Sequence, residues 1–313
     1  MSIVYSLGIA DARSHRFTVS IDIASPEPTG QQLTLPSWIP GSYLVRDFAR
    51  FVSRVRAADE RGEVGVDKVD KHTWRCAPAR GALRVFYEVY AWDQSVRGAH
   101  LDDTHGFCNG ANVFLAVTGQ ESAPVEVELK RPEGIGSDWQ VATTLPRNGA
   151  GLREFGRYRA ADYDELIDHP IEMGQFEIVT CEVADVAHRM VLSGRHHCDG
   201  DRLARDVERI CTEHVRLFGE LPEMPEYLFL TRVLRDGYGG LEHRASSALV
   251  CSRDQLPGVD ATTNKRYQSF LGLVSHEYFH LWNVKRIKPA AFTPFRLERE
   301  SYTQLLWVFE GIT

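Results

Sequence analysis

The segment Ser275–His276–Glu277–Tyr278–Phe279–His280 carries an H-E-x-x-H pattern. On an α-helix, residues four apart lie about 40° apart around the axis, so His276 and His280 face the same way. Two imidazoles so placed can share one metal ion, and zinc (Zn2+) is the ion this pattern suits. Glu277 sits one position along, close enough to reach a water on that ion without being a ligand. Zinc lowers the pKa of such a water toward neutrality, and a carboxylate can take its proton during attack on a carbonyl. The spacing therefore predicts metal-assisted hydrolysis with Glu277 as general base. A surface helix with two solvated histidines would carry the same residues without the chemistry.

Two histidines leave a catalytic zinc short of its third protein ligand. The candidate is Glu310, inside the apolar run Leu306–Trp307–Val308–Phe309–Glu310–Gly311. An unpaired carboxylate buried there would be costly, and a metal partner would remove the cost. The other reading is a glutamate on the wet side of an amphipathic helix. Upstream lies Asp236–Gly237–Tyr238–Gly239–Gly240–Leu241–Glu242–His243. It lacks the Gly-Lys-Ser/Thr of a phosphate loop. Gly239 and Gly240 would let the backbone approach a ligand closely. Glu242 would offer a carboxylate to a substrate ammonium, and the strand after it could pair with an extended peptide. A hairpin turn whose glutamate points to water is the alternative.

These residues need elements to hold them. Tyr267, Phe270, Leu271 and Val274 follow i, i+3, i+4, i+7 spacing and predict the helix of the motif. Leu281–Trp282 extend its apolar run and Pro289 marks a stop. Asp199 reads as an N-cap before Leu203, Val207, Ile210, His214 and Phe218 at helical spacing, with His214 a structural histidine on that stripe. Phe176–Leu192 reads as a strand pair, and Tyr227–Leu234 and Ser246–Cys251 as strands. Residues 1–175 read as β throughout: Phe17, Val19, Ile21 and Ile23 alternate, and Leu83–Trp92, Asn112–Val117, Val125–Leu129 and Trp139–Leu145 are further strand candidates. A sandwich or barrel followed by an α+β domain, 176–313, is the expected order. Two stretches stand apart, Pro36–Phe48 and the charged, histidine-containing Gln94–Gly110. The latter reads as a long loop, either lining a cleft or solvated around an Arg–Asp pair.

With 313 residues the chain is long enough for two domains. A formal charge of −7 and a pI near 6.0 argue against nucleic acid as a partner. No stretch has the length of a membrane span, and Met1–Ser20 has neither a basic start nor a long apolar core. Six scattered cysteines read as reduced thiols, and the expected location is cytoplasmic.

Four stretches together resemble peptidase family M61, the glycyl aminopeptidases among the thermolysin-like gluzincins. They are Pro36–Phe48, Val96–Leu115, Gly239–His243, and His276–Pro289 with Trp307–Thr313. The resemblance implies an N-terminal β-sandwich, 1–175, and a thermolysin-like catalytic domain, 176–313. It implies zinc held by His276, His280 and Glu310, Glu277 as base, and removal of N-terminal residues, glycine and alanine favoured, from peptides with a free N-terminus. Gly240–Leu241–Glu242–His243 is similar to the amine-anchoring element of the related M1 aminopeptidases. Family members continue past the Glu-Gly-x-Thr run, so an incomplete catalytic domain is expected, with the oxyanion-stabilising residue beyond Thr313. Two other functions are compatible with the sequence: an endopeptidase of the same fold, and an inactive fragment serving as a peptide-binding scaffold.

Overall fold

Strict alternation builds the largest sheet. In the strand Arg16–Ile23, Phe17, Val19, Ile21 and Ile23 are buried while the residues between them are not. Burying such a side chain is worth about 1.5–3 kcal/mol, so a charge at Ile21 would destabilise the sheet, while a one-residue slip would expose all four and is resisted. The computed structural model describes residues 3–259 and 262–313. It divides into two units, Met1–Gly174 with Arg296–Glu300, and Gln175–Phe295 with Ser301–Thr313.

The first unit is β-rich. Its seven-stranded sheet runs in the order Gly156–Ala160, Val125–Leu129, Ile3–Asp11, Arg16–Ile23, Leu83–Tyr90, Val52–Asp59, Gly62–Val64. The pairing of Ile3–Asp11 with Val125–Leu129 is parallel. Two four-stranded sheets complete it. The expected strand Asn112–Val117 is instead a helical turn, Gly110–Val113, followed by the short strand Ala116–Val117. The carbonyls of Val113, Phe114 and Leu115 accept from the buried hydroxyls of Tyr87, Tyr163 and Tyr5, so side chains take the place of a strand ladder. A β-carbon on Gly110 would lie 2.6 Å from Ile167 Cα, which explains a glycine there.

Both unusual stretches are structural parts of this unit. The Trp38 indole donates to the carbonyls of Arg296 and Arg299 at 2.9 and 2.8 Å, tying Pro36–Phe48 to the returning segment Arg296–Glu300. Gln94–Gly110 is not a solvated loop. Ala99–Leu101 and His105–Cys108 pair antiparallel, His100 and His105 are buried, and His105 Nε2 lies 2.5 Å from Glu172 Oε1.

The second unit is a five-stranded sheet with two long helices. We label its elements β1 Phe176–Val183, β2 Val186–Ser193, α1 Gly200–Phe218, β3 Glu226–Leu234, β4 Gly239–Glu242, β5 Ser246–Ser252 and α2 Lys265–Phe279. The sheet order is β1-β2-β3-β5-β4, with β2, β3 and β5 parallel and β4 antiparallel at the edge. Asp199 accepts from the Arg202 N–H at the start of α1, and Gly219, in the left-handed region at φ 86°, ends it. Asn264 Oδ1 likewise accepts from the Tyr267 N–H and starts α2. Among the described residues no helix is long and apolar enough to cross a membrane.

A buried polar contact fixes α2 on the sheet. The His188 imidazole on β2 donates from Nδ1 to the Val186 carbonyl (2.9 Å) and accepts at Nε2 from the Tyr278 hydroxyl (2.8 Å). Burial pushes His188 down to about 4, against a smaller upward pull from the Val186 carbonyl. The unfolded chain takes up this proton near pH 6.5 and the folded chain only near 4, so stability is lost as pH falls between those values. His188→Asn should reduce the drop in unfolding free energy between pH 7 and pH 4 by on the order of 3 kcal/mol, measured by urea denaturation at both pH values.

Candidate metal centre

The buried stripe of α2 runs Tyr267, Phe270, Leu273, Val274, Glu277, Tyr278. Helical periodicity thus places Glu277 on the same inward face as the core side chains, and it is only 4 % exposed. His276 lies beside that stripe and is half-buried; His280, the residue that caps the helix, is 1 % exposed. The helix ends well before Pro289. The chain turns after His280 so that Trp282 stacks on Phe218, with ring centroids 4.6 Å apart, and donates to the Glu220 carbonyl. The same turn brings the Asn283 carbonyl within 3.0 Å of His280 Nδ1. That carbonyl accepts the Nδ1 proton and leaves Nε2 with its lone pair free for a cation.

The two Nε2 atoms are 3.0 Å apart. Glu310 Oε2 lies 3.5 Å from His276 Nε2 and 3.8 Å from His280 Nε2. In a tetrahedral zinc site with bonds near 2.0–2.1 Å, neighbouring donor atoms are about 3.3 Å apart. Two nitrogens and one carboxylate oxygen at these separations fit such an ion. The donor set, borderline nitrogen with one hard oxygen, suits zinc as well.

Glu310 reaches this place for a reason other than the one the sequence suggests. It lies in a single π-helical turn, Trp307–Gly311, and its side chain is about one-third exposed. Leu305, Leu306, Trp307 and Ile312 are exposed too, and of the run only Phe309 is buried. The expected burial cost is therefore absent; proximity to the two imidazoles carries the assignment.

Gly239–Glu242 forms β4 rather than a turn. Alternation along the strand puts Gly240 and Glu242 on one face and buried Leu241 on the other. That first face meets Glu277: a β-carbon on Gly240 would fall 1.9 Å from Glu277 Oε1. Gly240 thus makes room for the carboxylate of α2, where the sequence suggested room for a ligand. Glu242 is 3 % exposed and its Oε1 has no hydrogen-bond partner among the described residues. Glu242, Glu277 and His280 each bring one donor atom within 4.8 Å of the others. β5, the strand after Glu242, is paired on both sides by β3 and β4, so it has no edge for an added peptide; the edge strand is β4 itself.

His214 is half-buried, with Nε2 2.9 Å from the Ser275 hydroxyl, next to His276 in the chain. Burial lowers its pKa. Sequence reasoning passed over His188, Tyr278 and Asn283. Tyr278 lies inside the motif and Asn283 three residues after it; the side-chain partners of both are far away in sequence and carry no local signal.

The fold and this cluster define a two-unit α+β protein in which two histidines and a glutamate converge beside a helix packed against a mixed sheet. The chain belongs to peptidase family M61. The Peptidase M61 N-terminal domain matches residues 4–175, more than half of the chain, and M61 glycyl aminopeptidase matches residues 269–313. Among solved structures, the chain is similar to an aminopeptidase N family protein from Idiomarina loihiensis. The two share 43% identity at a TM-score of 0.96, over 99% of this chain and 52% of that one. The chain therefore spans about half the length of that relative. An M1 zinc metallopeptidase variant from Deinococcus radiodurans shares the fold at 12% identity and a TM-score of 0.51, over 91% of this chain and 64% of that one. A search of curated proteins found no match.

Proposed function

We propose that this chain carries the zinc site and the amine-binding carboxylate of an aminopeptidase acting on peptides with a free N-terminus. The convergence of His276 Nε2, His280 Nε2 and Glu310 Oε2 beside the buried carboxylate of Glu277 is the observation that supports it. Zinc, when bound, would act as a Lewis acid on the scissile carbonyl and acidify the attacking water.

The other steps belong to the chain's own residues. Glu277 takes a proton from the attacking water and returns it to the amine that leaves, so it ends the cycle as it began. Gly240 and the core stripe of α2 hold that carboxylate in place, which lowers the reorganisation needed during proton transfer. Glu242 binds the α-ammonium of the substrate. A buried carboxylate oxygen without a partner is costly, and an ammonium donor satisfies it. The outer edge of β4, which among the described residues pairs with β5 alone, offers main-chain groups to the peptide that follows the anchored amine. Membership of the glycyl aminopeptidase family supports small first residues, glycine and alanine. An endopeptidase would follow instead if Glu242 did not bind the amine; comparing free with N-acetylated peptides separates the two.

The metal reading is tested by elemental analysis after loosely bound metal is removed. One zinc per chain is expected, lost in Glu310→Ala. An unmutated chain without zinc would overturn the reading.

A further inference from the structure

Asn283 touches both His280 and the turn that carries Glu310, through different groups. Its main-chain carbonyl accepts from His280 Nδ1 at 3.0 Å. Its side-chain amide donates to the Val308 carbonyl at 3.2 Å and to the Thr313 hydroxyl at 3.3 Å. The Thr313 hydroxyl in turn donates to the Phe309 carbonyl at 2.6 Å. That last bond uses the hydroxyl proton, so Thr313 Oγ1 faces Asn283 as an acceptor. The amide orientation follows from the network: Nδ2, with two protons, meets two acceptors. Val308, Phe309 and Thr313 flank Glu310 on both sides.

This bracket matters because few buried side chains hold the Glu310 turn. Leu305, Leu306, Trp307 and Ile312 are exposed, and Phe309 alone is a buried apolar anchor. A single helical turn does not hold itself together. Asn283 is itself buried, so its amide bonds form away from competing water.

We infer that Asn283 is a positioning residue that sets the Glu310 carboxylate against the two imidazoles, and that metal affinity depends on its side-chain amide. The inference rests on the zinc reading above but assigns a role to a residue outside the ligand set. Residues of this kind change metal affinity by about 10–100-fold when replaced.

The test is zinc affinity by competition with a chromogenic chelator, without any turnover assay. Asn283→Leu keeps the volume and the main-chain carbonyl to His280 but removes both donors. It should weaken zinc binding by about 10-fold or more. A residue that acts only through Glu310 has nothing left to act on once Glu310 is gone. Glu310→Ala leaves both imidazoles, and the weaker zinc affinity they retain is read against a weaker chelator; Asn283→Leu should cause no further loss in that background, whereas general destabilisation would multiply the two losses. Thr313→Val, which removes the hydroxyl at small cost in shape, should weaken zinc in the same direction and serves if Asn283→Leu does not fold. Wild-type affinity in both variants, or losses that multiply, would overturn the inference while leaving the zinc site standing. An unmutated chain that binds no zinc would overturn the metal reading itself, and this inference with it.

Discussion

Glu277→Gln should lower kcat of the peptidase by about 10²–10⁴-fold while the protein keeps one zinc per chain, as expected for loss of a general base. The change is close to isosteric. The amide fits the space that Gly240 leaves open, so the packing of α2 against β4 is preserved. His276, His280 and Glu310 are untouched. What disappears is the proton acceptor: a neutral amide cannot take a proton from water at pH 7. Zinc content and kcat are measured on the same preparation. Full activity with zinc in place would remove Glu277 from the role of base. Loss of zinc together with activity would instead mean that Glu277 helps hold the metal, consistent with its lying within 4.8 Å of His280.

Glu242→Gln should raise KM for peptides with a free N-terminus by about 100-fold, the worth of a charge-assisted hydrogen bond of up to about 3 kcal/mol. N-acetylated peptides have no ammonium to lose, so their kinetics should change little. Equal effects on both substrates would remove the anchor role. The same substitution carries a second expected outcome of opposite sign. Glu242 is almost fully buried with Oε1 unpartnered among the described residues, and replacing a charged carboxylate by a neutral amide lowers the desolvation cost. The ligand-free protein should melt at a higher temperature, as commonly happens where binding requires a group that destabilises the free state. Melting curves with and without a peptide product bearing a free amine would show both effects.

Much of the second unit was legible because its signals are local. The N-cap Asp199 sits directly before a periodic apolar stripe, and β1, β2, β3 and β5 fall within a residue or two of their expected bounds. The first unit was legible where alternation was strict, as in Arg16–Ile23 and Val125–Leu129. It was not legible at Gly110–Leu115, whose carbonyls are satisfied by three tyrosine hydroxyls from distant parts of the chain. Gln94–Gly110 misled for a similar reason: its charged and histidine side chains resemble a solvated loop, yet a hairpin buries both histidines.

Within the candidate site the division is sharper. The sequence by itself determined that His276 and His280 share a helix face with Glu277 beside them, because helical geometry follows from spacing alone. It also singled out Glu310 and Glu242 as acidic groups in unusual surroundings. Tertiary structure alone decided that Glu310 stands within 4 Å of both imidazoles, that Gly240 yields its β-carbon space to Glu277, that β4 rather than β5 is the sheet edge, and that Asn283 bridges His280 and the turn that carries Glu310. Periodicity records which face of an element turns inward; what that face meets is set by packing between segments far apart in the chain.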